Sequence, residues 1–422
     1  MAFRGWLDLS GFEVANSSRV IAHLRPPLPT DDSVFAHAGE PCGCGGSVSY
    51  DDSWPDLADW LGATDYQDVT TAPWYDAAIP QSAEFRGIWP MKIDGLDAAP
   101  IDRTITELIG DGAVSPIKRT TSRRVTVDAV LIACTSAGLQ FGIRWLTNAL
   151  NDASAGSGGV LSYLDAHPGH SAAGPDGLLR NLHSVVLTEP PVKNQEFAGG
   201  MTRNREATSA RVTWTMTALV PHAYRPGTAA HVAWNSVSTD EISWVHATDC
   251  SDTTSCPDMP VLFSTECVPQ AWPRATYQPP VCGGCIPVGD IKTYRYTLPD
   301  PTGTAGGGDT AVSVRIVNTG GAPLSLQGGF ESRAPGACPG ELFPFQVAGL
   351  PTATELVLDA VTGRNYAVTN GVKARTAGIL STPRGRPWRP ALIDQSSGWD
   401  LVVRAAASAD FEMELTLLER DQ

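Results

Sequence analysis

The sequence is poor in charged residues, above all in lysine, and it lacks long apolar runs. Charged residues make up 18% of the 422 residues, and the formal net charge is −15. A surface that binds nucleic acid needs a basic stripe that releases counterions. The composition therefore argues against such a surface, although an acidic wall would suit a channel that DNA only slides past. No window approaches the roughly 18 uncharged apolar residues of a membrane-spanning helix, so we expect no membrane insertion.

Targeting signals and catalytic motifs are lacking as well. The first residues, "MAFRGWLDLSGFEV", contain no apolar run of the kind that a signal peptide needs, because Asp8 and Glu13 interrupt the window. We therefore expect synthesis in a cytoplasm, where disulfides seldom form. The sequence has no G-x-S-x-G, H-E-x-x-H, P-loop or G-x-G-x-x-G context. No enzyme class is indicated.

What the sequence does contain is glycine and proline, with strand patterns between them. The 41 Gly and 33 Pro favour many short strands joined by turns, and thus a mainly β protein. Residues 123–134 alternate apolar and polar side chains, which predicts a half-buried strand, and residues 210–220 predict a second one. Between them, the apolar residues change to helical spacing, which predicts one main helix over 136–150 with Thr135 or Ser136 as its cap.

Shifts in composition divide the chain into three parts. Residues 1–225 are expected to form a β-rich domain with one main helix, interrupted by a long loop at 24–56 that is dense in Pro, Gly and Asp. Residues 226–290 are rich in Cys, Pro and Asp and predict a connector with little regular structure. Residues 291–422 contain closely spaced strands, including a hairpin with Thr362-Gly363 at its turn, and predict a β-sandwich.

The cysteines are the main candidates for a metal site. Cys282 and Cys285 form a C-x-x-C pair, which supplies half of a tetrahedral zinc shell. The candidates to complete it are Cys250, Cys256, Cys267, Cys42 and Cys44. Because four thiolates leave no open position for a substrate, such a zinc would be structural. Two alternatives remain open, namely buried reduced thiols and disulfides.

Two further sets of residues have weaker signals. Asp165, His167 and His170 lie close together, but Pro-Gly between the histidines indicates a turn, so a solvated loop is favoured over a metal site. Trp388 and Trp399 are candidates for stacking on sugar rings. The alternative, that both are core or interface residues, is favoured because large aromatic side chains are usually buried.

Several segments together resemble one family. The motifs are "FRGWLDLSGFEVANSSRVIAHL", "PCGCGGSVSYDDSWPDLADWLG", "APWYDAAIPQSAEFRGIWP", "TSRRVTVDAVLIACTSAGLQFGIRWL" and "LVPHAYRP". They resemble minor tail proteins of long-tailed phages that infect actinobacteria. In layout the chain is similar to the distal tail protein family, which has an N-terminal belt domain, a β-barrel carrying a helix, and a C-terminal galectin-like β-sandwich. The long Cys-bearing loop and connector depart from the simplest members.

The resemblance implies a structural function in the virion. Distal tail proteins form a ring, usually a hexamer, at the distal end of the tail between the last ring of the tail-tube protein and the tail-tip hub. Their belt domains surround the channel through which DNA leaves. The implied partners are other copies of the chain, the tail-tube, hub and tape-measure proteins, and other minor tail proteins. The alternative is a carbohydrate-binding adhesin that acts through the C-terminal sandwich.

Overall fold

The protein is mainly β and consists of two compact units. The computed structural model describes residues 2–24, 53–63, 66–115, 117–198, 207–242, 288–299, 309–334, 341–376, 378–383, 386–394 and 398–421. Unit 1 comprises Met1–Pro226 together with Asp421–Gln422, and unit 2 comprises Gly227–Arg420. Strands dominate both units, which confirms the predicted fold class.

Unit 1 is built from strands and a few helices. Within the described residues its strands are β1 (Phe3–Leu9), β2 (Phe12–Asn16), β3 (Phe85–Asp94), β4 (Ile101–Asp102), β5 (Thr106–Glu107), β6 (Ala113–Val114), β7 (Arg119–Thr120), β8 (Arg123–Ala133), β9 (Gly159–Leu164), β10 (Leu179–Ala198), β11 (Ala207–Ala218) and β12 (Ala223–Tyr224). Its α-helices are α1 (Ser17–Leu24), α2 (Leu57–Trp60), α3 (Ser136–Ala153) and α4 (Gly174–Leu178), and short 3-10 helices span Val69–Thr71, Pro80–Glu84 and Pro168–His170.

The predicted strand–helix pair forms the centre of unit 1. In β8 every second residue is buried, from Val125 to Leu131, as the alternation predicts. Helix α3 begins after Thr135, whose hydroxyl accepts a hydrogen bond from the Gly138 amide at 3.0 Å. This cap satisfies one of the amides that have no partner within the first turn of the helix. The prediction of the strand, the helix and its cap is confirmed.

The main sheet of unit 1 curls around its core. Its hydrogen-bonded order is β2-β1-β9-β10-β11-β8-β3, with β12 added beside β10. The two edge strands, β2 and β3, contact each other without a hydrogen-bonded ladder, so the described strands form a nearly closed sheet instead of a fully bonded barrel. Helix α3 packs on this sheet and buries Leu139, Leu146 and Leu150 in the same core as Trp214.

Unit 2 consists of strands within the described residues. They are β13 (Ala229–His231), β14 (Ser236–Ile242), β15 (Val288–Thr297), β16 (Asp309–Asn318), β17 (Leu324–Ser332), β18 (Leu342–Leu350), β19 (Thr354–Leu358), β20 (Asn365–Thr369), β21 (Val372–Ala374), β22 (Leu380–Ser381), β23 (Ala391–Asp394), β24 (Trp399–Ala406) and β25 (Phe411–Glu419).

Two sheets enclose the core of unit 2. One has the order β13-β25-β16-β19-β20-β21, with β23 beside β16, and the other has the order β14-β15-β24-β17-β18-β22. Apolar side chains from both sheets, such as Ile316 and Phe345, belong to a single buried cluster. Strands β19 and β20 pair as the predicted hairpin, and Gly363 takes the left-handed conformation (φ +69°) that its turn requires.

Part of the segment that the sequence analysis assigned to a connector has regular structure. Strand β13 pairs with β25, and β14 pairs with β15, so residues 229–242 contribute a strand to each sheet of unit 2. The prediction of little regular structure is wrong for these residues. The prediction failed because each of these strands is defined by a partner strand that is distant in the sequence. Most of the predicted connector, 243–287, and most of the predicted loop, 25–52, lie outside the described residues.

Candidate functional sites

The predicted cysteine site lies outside the described residues. This applies to all seven candidates: Cys42, Cys44, Cys250, Cys256, Cys267, Cys282 and Cys285. Among the residues that the structure does describe, no group of three or more His, Cys, Asp or Glu side chains is arranged to hold a metal ion. Cys134, at the end of β8, is exposed and not part of a disulfide, and its sulfur accepts a hydrogen bond from Arg86 Nε at 3.0 Å.

The two histidines of the "DAHPGH" segment lie side by side but serve the local loop. His167 Nδ1 accepts a hydrogen bond from the Gly169 amide at 3.1 Å, and its Nε2 lies 3.1 Å from the carbonyl oxygen of Ser53. The ring of His170 is 4.5 Å from that of His167. Asp165 pairs instead with Arg180, at 3.7 Å. Both nitrogens of His167 are thus engaged by the backbone, which agrees with a loop.

The two tryptophans considered for sugar binding lie against the core of unit 2. Trp399 is 8% exposed, and its indole nitrogen donates a hydrogen bond to the carbonyl oxygen of Asp394 at 2.8 Å. Such a ring offers no free face to a saccharide. Trp388 is half-buried and packs on the same core. Both positions agree with the core alternative favoured from the sequence.

A shallow cleft of about 590 Å³ opens at one end of unit 2. It is lined by the ends of β16, β19 and β20 and the loops beside them, and no aromatic side chain is among its lining residues. Asn318 at its base is occupied internally, because its amide nitrogen donates to the carbonyl oxygens of Ala322, Leu350 and Pro351. Glu355 at its wall pairs with Arg315 at 2.7 Å. The polar groups of the cleft therefore stabilise its own loops.

A buried polar cluster joins β2 to α1. Arg19 is 5% exposed and pairs with Glu13 at 2.7 Å, and its guanidinium lies 4.1 Å from the ring centre of Tyr66. Burial raises the pKa of Tyr66 to about 12, so its hydroxyl stays protonated at neutral pH. It accepts a hydrogen bond from the amide nitrogen of Asn16 at 3.1 Å. The cluster has the properties of a structural tie and lacks a group prepared for proton transfer.

The polar face of strands β8, β10 and β11 has its charges paired. Arg124 pairs with Glu189 at 2.7 Å. The single Nε–H of Arg211 is shared between the two carboxylate oxygens of Asp128, at 2.9 and 3.1 Å, and Nη2 of Arg211 donates a further hydrogen bond to the same carboxylate. Thr126 and the threonines of β11 lie on the same side of the sheet, between these pairs. An arginine whose charge is already met by a carboxylate binds phosphate weakly. The face is therefore polar but is not a basic stripe.

An exposed apolar hairpin is the feature that the sequence analysis missed. Residues 101–120, here called the arm, connect β3 to β8 through two nested two-stranded ladders, β4–β7 and β5–β6. The Leu108 amide donates to the Gly112 carbonyl oxygen at 3.0 Å and closes the tip. Every described residue of the arm is exposed except Thr120, which is half-buried. The signal was present in the sequence as "TITELIGDGAV", in which alternating residues flank an Asp-Gly turn.

None of the helices among the described residues is long and apolar enough to cross a membrane.

Comparison with known proteins gives a distant likeness to phage tail components. No protein-family model matches the chain, and no curated protein matches it. Among solved structures, the Dit (gp 19.1) protein of phage SPP1, described as a paradigm of the hub adsorption apparatus in phages that infect Gram-positive bacteria, is 10% identical, with a TM-score of 0.37. That match covers 81% of this chain and 96% of the SPP1 chain.

Two structures of the phage P2 baseplate in its activated conformation are similar at the same level. The structure with Ca is 8% identical, covers 81% of this chain and 92% of its own, and has a TM-score of 0.40. The structure with Sr is 6% identical, with the same coverage and a TM-score of 0.37. The solved structures that this chain is similar to thus include phage Dit and baseplate proteins.

Proposed function

We propose that the chain is a structural protein of a phage tail tip, forming a ring that joins the tail tube to the tip hub. The observation that carries the proposal is the order of its parts. An N-terminal curled sheet with one long helix, α3, is followed by a unit of two packed sheets. This is the layout that the sequence motifs imply, since the distal tail family places a helix-bearing belt domain before a galectin-like sandwich.

The charge pattern supports a role in which DNA passes without binding. The chain carries a net charge of −15, and the arginines on the polar face of β8 and β11 are paired with carboxylates. Such a face does not attract phosphate. Its arginines are already paired with carboxylates, so contact with DNA would release no counterions. We propose that this face, in the assembled ring, is turned toward the DNA exit channel.

The partners of the proposed ring follow from its place in the tail. They are other copies of the chain, in a ring of about six, the tail-tube protein on one side, and the hub on the other. The tape-measure protein and other minor tail proteins complete the set. A closed ring requires a heterologous contact, in which each copy presents two different surfaces to its two neighbours. The resemblance to the distal tail family implies a location at the distal end of the tail.

The carbohydrate-binding alternative has weaker support. It depended on Trp388 and Trp399, and the buried ring of Trp399 cannot stack on a sugar. The cleft of unit 2 also has no aromatic platform among its lining residues.

Immunogold electron microscopy of intact particles tests the proposal. An antibody against the chain is applied to the phage that encodes it, and an antibody against the tail-tube protein serves as the control. The proposal predicts gold at one tail end for this chain and along the tail for the control. Label along the tail, on the head or on no particle would refute it.

A further inference from the structure

The arm exposes apolar side chains of the kind that are buried in protein–protein interfaces. Six apolar side chains of the arm are more than half exposed, and Ile109 and Ile117 are almost completely so. The others are Ile101, Ile105, Leu108 and Val114. Contiguous exposed apolar surface on a globular protein marks a site of association. All six lie within the 17 residues from 101 to 117, so exposed apolar side chains are concentrated on this one hairpin.

The two ladders of the arm are too short to make the hairpin stable on its own. Its ladders contain two residue pairs each, Ile101↔Thr120 with Asp102↔Arg119, and Thr106↔Val114 with Glu107↔Ala113. An isolated two-stranded hairpin is marginally stable at best in water. The described residues of the arm are exposed on both sides of the ladder. A partner that covers the arm would therefore both bury apolar surface and order the hairpin.

The register of the sheet fixes the end of unit 1 from which the arm leaves. Strand β3 ends at Asp94 and β8 begins at Arg123, which is paired with Ala218 at the end of β11. The end of β10 at Ala198, the beginning of β11 at Ala207 and the start of α3 lie at the opposite end, beside Ala133. The arm thus projects from one end only. A projection confined to one end suits a contact between unlike surfaces, which is the kind that builds rings.

The neutral charge of the arm makes it suited to contact another copy of the same acidic chain. The arm contains three acidic residues, Asp102, Glu107 and Asp111, and three basic residues, Arg103, Lys118 and Arg119, so its formal charge is zero. Two chains of charge −15 repel each other over most of their surfaces. A neutral apolar segment of some 20 residues escapes that repulsion, and it is about as large as one side of a stable interface, ~20–30 residues.

We propose that the arm, residues 101–120, docks on a second copy of this chain and is the main self-association element of unit 1. The proposal deepens the proposed function, since it assigns the contact that the ring needs, but self-association can be measured without any tail component. The apolar side chains of the arm would enter the neighbouring copy, and the neutral backbone hairpin would order on contact.

The test compares the full-length chain with two double variants by sedimentation velocity over a range of concentrations. I109D/I117D places two carboxylates in the arm. V237D/V372D is the matched control, because Val237 and Val372 are exposed apolar residues of unit 2. We expect the wild-type chain to self-associate. The dissociation constant for self-association should be at least tenfold higher for I109D/I117D than for the wild type, and within twofold of the wild-type value for V237D/V372D. Circular dichroism spectra should coincide for all three, since none of the four side chains is buried.

Each other outcome overturns the proposal. Equal self-association of the wild-type chain and the arm variant would place the contact elsewhere and would leave the tail-tip function standing. A wild-type chain that stays monomeric would exclude docking on a second copy, and immunogold labelling would then decide on the tail-tip function separately. A monomer that floats with phosphatidylglycerol vesicles or binds the tail-tube protein, and loses this property in I109D/I117D, would assign the arm a different occupant.

Discussion

The ring of Phe85 lies where a side chain at position 142 would have to be. A Cβ atom added to Gly142 of helix α3 would be 2.3 Å from Cε2 of Phe85, which is far inside van der Waals contact. Phe85 begins β3 and is fully buried. The absence of a side chain at Gly142 thus sets the distance between helix α3 and the edge of the main sheet of unit 1.

Gly142→Ala is expected to destabilise the protein by about 1–2 kcal/mol. Alanine favours the helix by about 1 kcal/mol relative to glycine, but overpacking a core costs about 1–3 kcal/mol, and the Phe85 ring is too enclosed to move cheaply. The measurement is urea unfolding followed by circular dichroism. Asn148→Ala, at an exposed position of the same helix, should be neutral or slightly stabilising. Equal or higher stability of Gly142→Ala would contradict the packing described for α3.

Asn318→Ala is expected to cost about 2–3 kcal/mol in unit 2. The Asn318 side chain is 1% exposed and donates to three carbonyl oxygens, at 2.9, 2.9 and 3.1 Å. Its own oxygen accepts a hydrogen bond from the Gly320 amide at 3.0 Å. Alanine leaves these buried groups without partners, and each hydrogen bond contributes about 1 kcal/mol. Thermal unfolding measures the loss, and Thr319→Ala at the adjacent exposed residue is the control. Similar melting temperatures for the two variants would refute this role.

Asp421→Asn is expected to destabilise unit 1 by about 1 kcal/mol. Arg180 is 5% exposed, and Asp421 accepts a hydrogen bond from its Nε, while two backbone carbonyl oxygens accept from its Nη1 at 2.9 Å. Neutralising Asp421 weakens the compensation of a buried positive charge, and half-exposed pairs of this kind contribute modestly. Asp94→Asn removes a surface-exposed pair with Lys92 and should change stability by only a few tenths of a kcal/mol. Denaturant midpoints that shift equally would argue against a special role for Asp421.

Acid should weaken unit 2 through Glu355. The hydrogen bond from Arg315 holds the pKa of Glu355 below its ordinary value of 4.5. A carboxyl with a lowered folded-state pKa stabilises the fold above the unfolded-state value, and the contribution is lost as pH falls from about 4.5 through the folded-state pKa. The pair is partly exposed, so the contribution is below about 1 kcal/mol.

Calorimetry between pH 7 and pH 3 checks this pH dependence. The wild-type chain should be more stable than Glu355→Gln at pH 7, and the difference should shrink toward pH 3. Glu412→Gln, at an exposed position of β25, is the control and should show no such trend. A difference between wild type and Glu355→Gln that stays constant over the whole range would rule out the linkage.

The spacing of apolar residues predicted those strands and helices that have one buried side and one exposed side. The alternation in 123–134 and the helical spacing in 136–150 depend only on which side of one strand or helix is buried, and both agree with β8 and α3. Strand β13 could not be found in this way. Its three residues are all exposed, and only the ladder with β25, more than 180 residues later, makes them a strand.

The candidate sites were predicted less well than the fold. The alternation around Ile105 and Val114 has the pattern of a half-buried strand, yet both residues are exposed, because no other described strand or helix packs on either side of the short ladder. Burial of Trp399 is decided by the packing of two sheets, which composition does not show. The cysteines stay a prediction, since Cys282 and Cys285 lie outside the described residues.

The most direct test of the central claim is negative-stain electron microscopy of the purified full-length chain, alone and mixed with its tail-tube and hub proteins. The proposed function predicts closed rings of about six copies with an open centre, in at least one of these samples. A chain that stays monomeric in all of them, and joins neither the tube nor the hub, would contradict it.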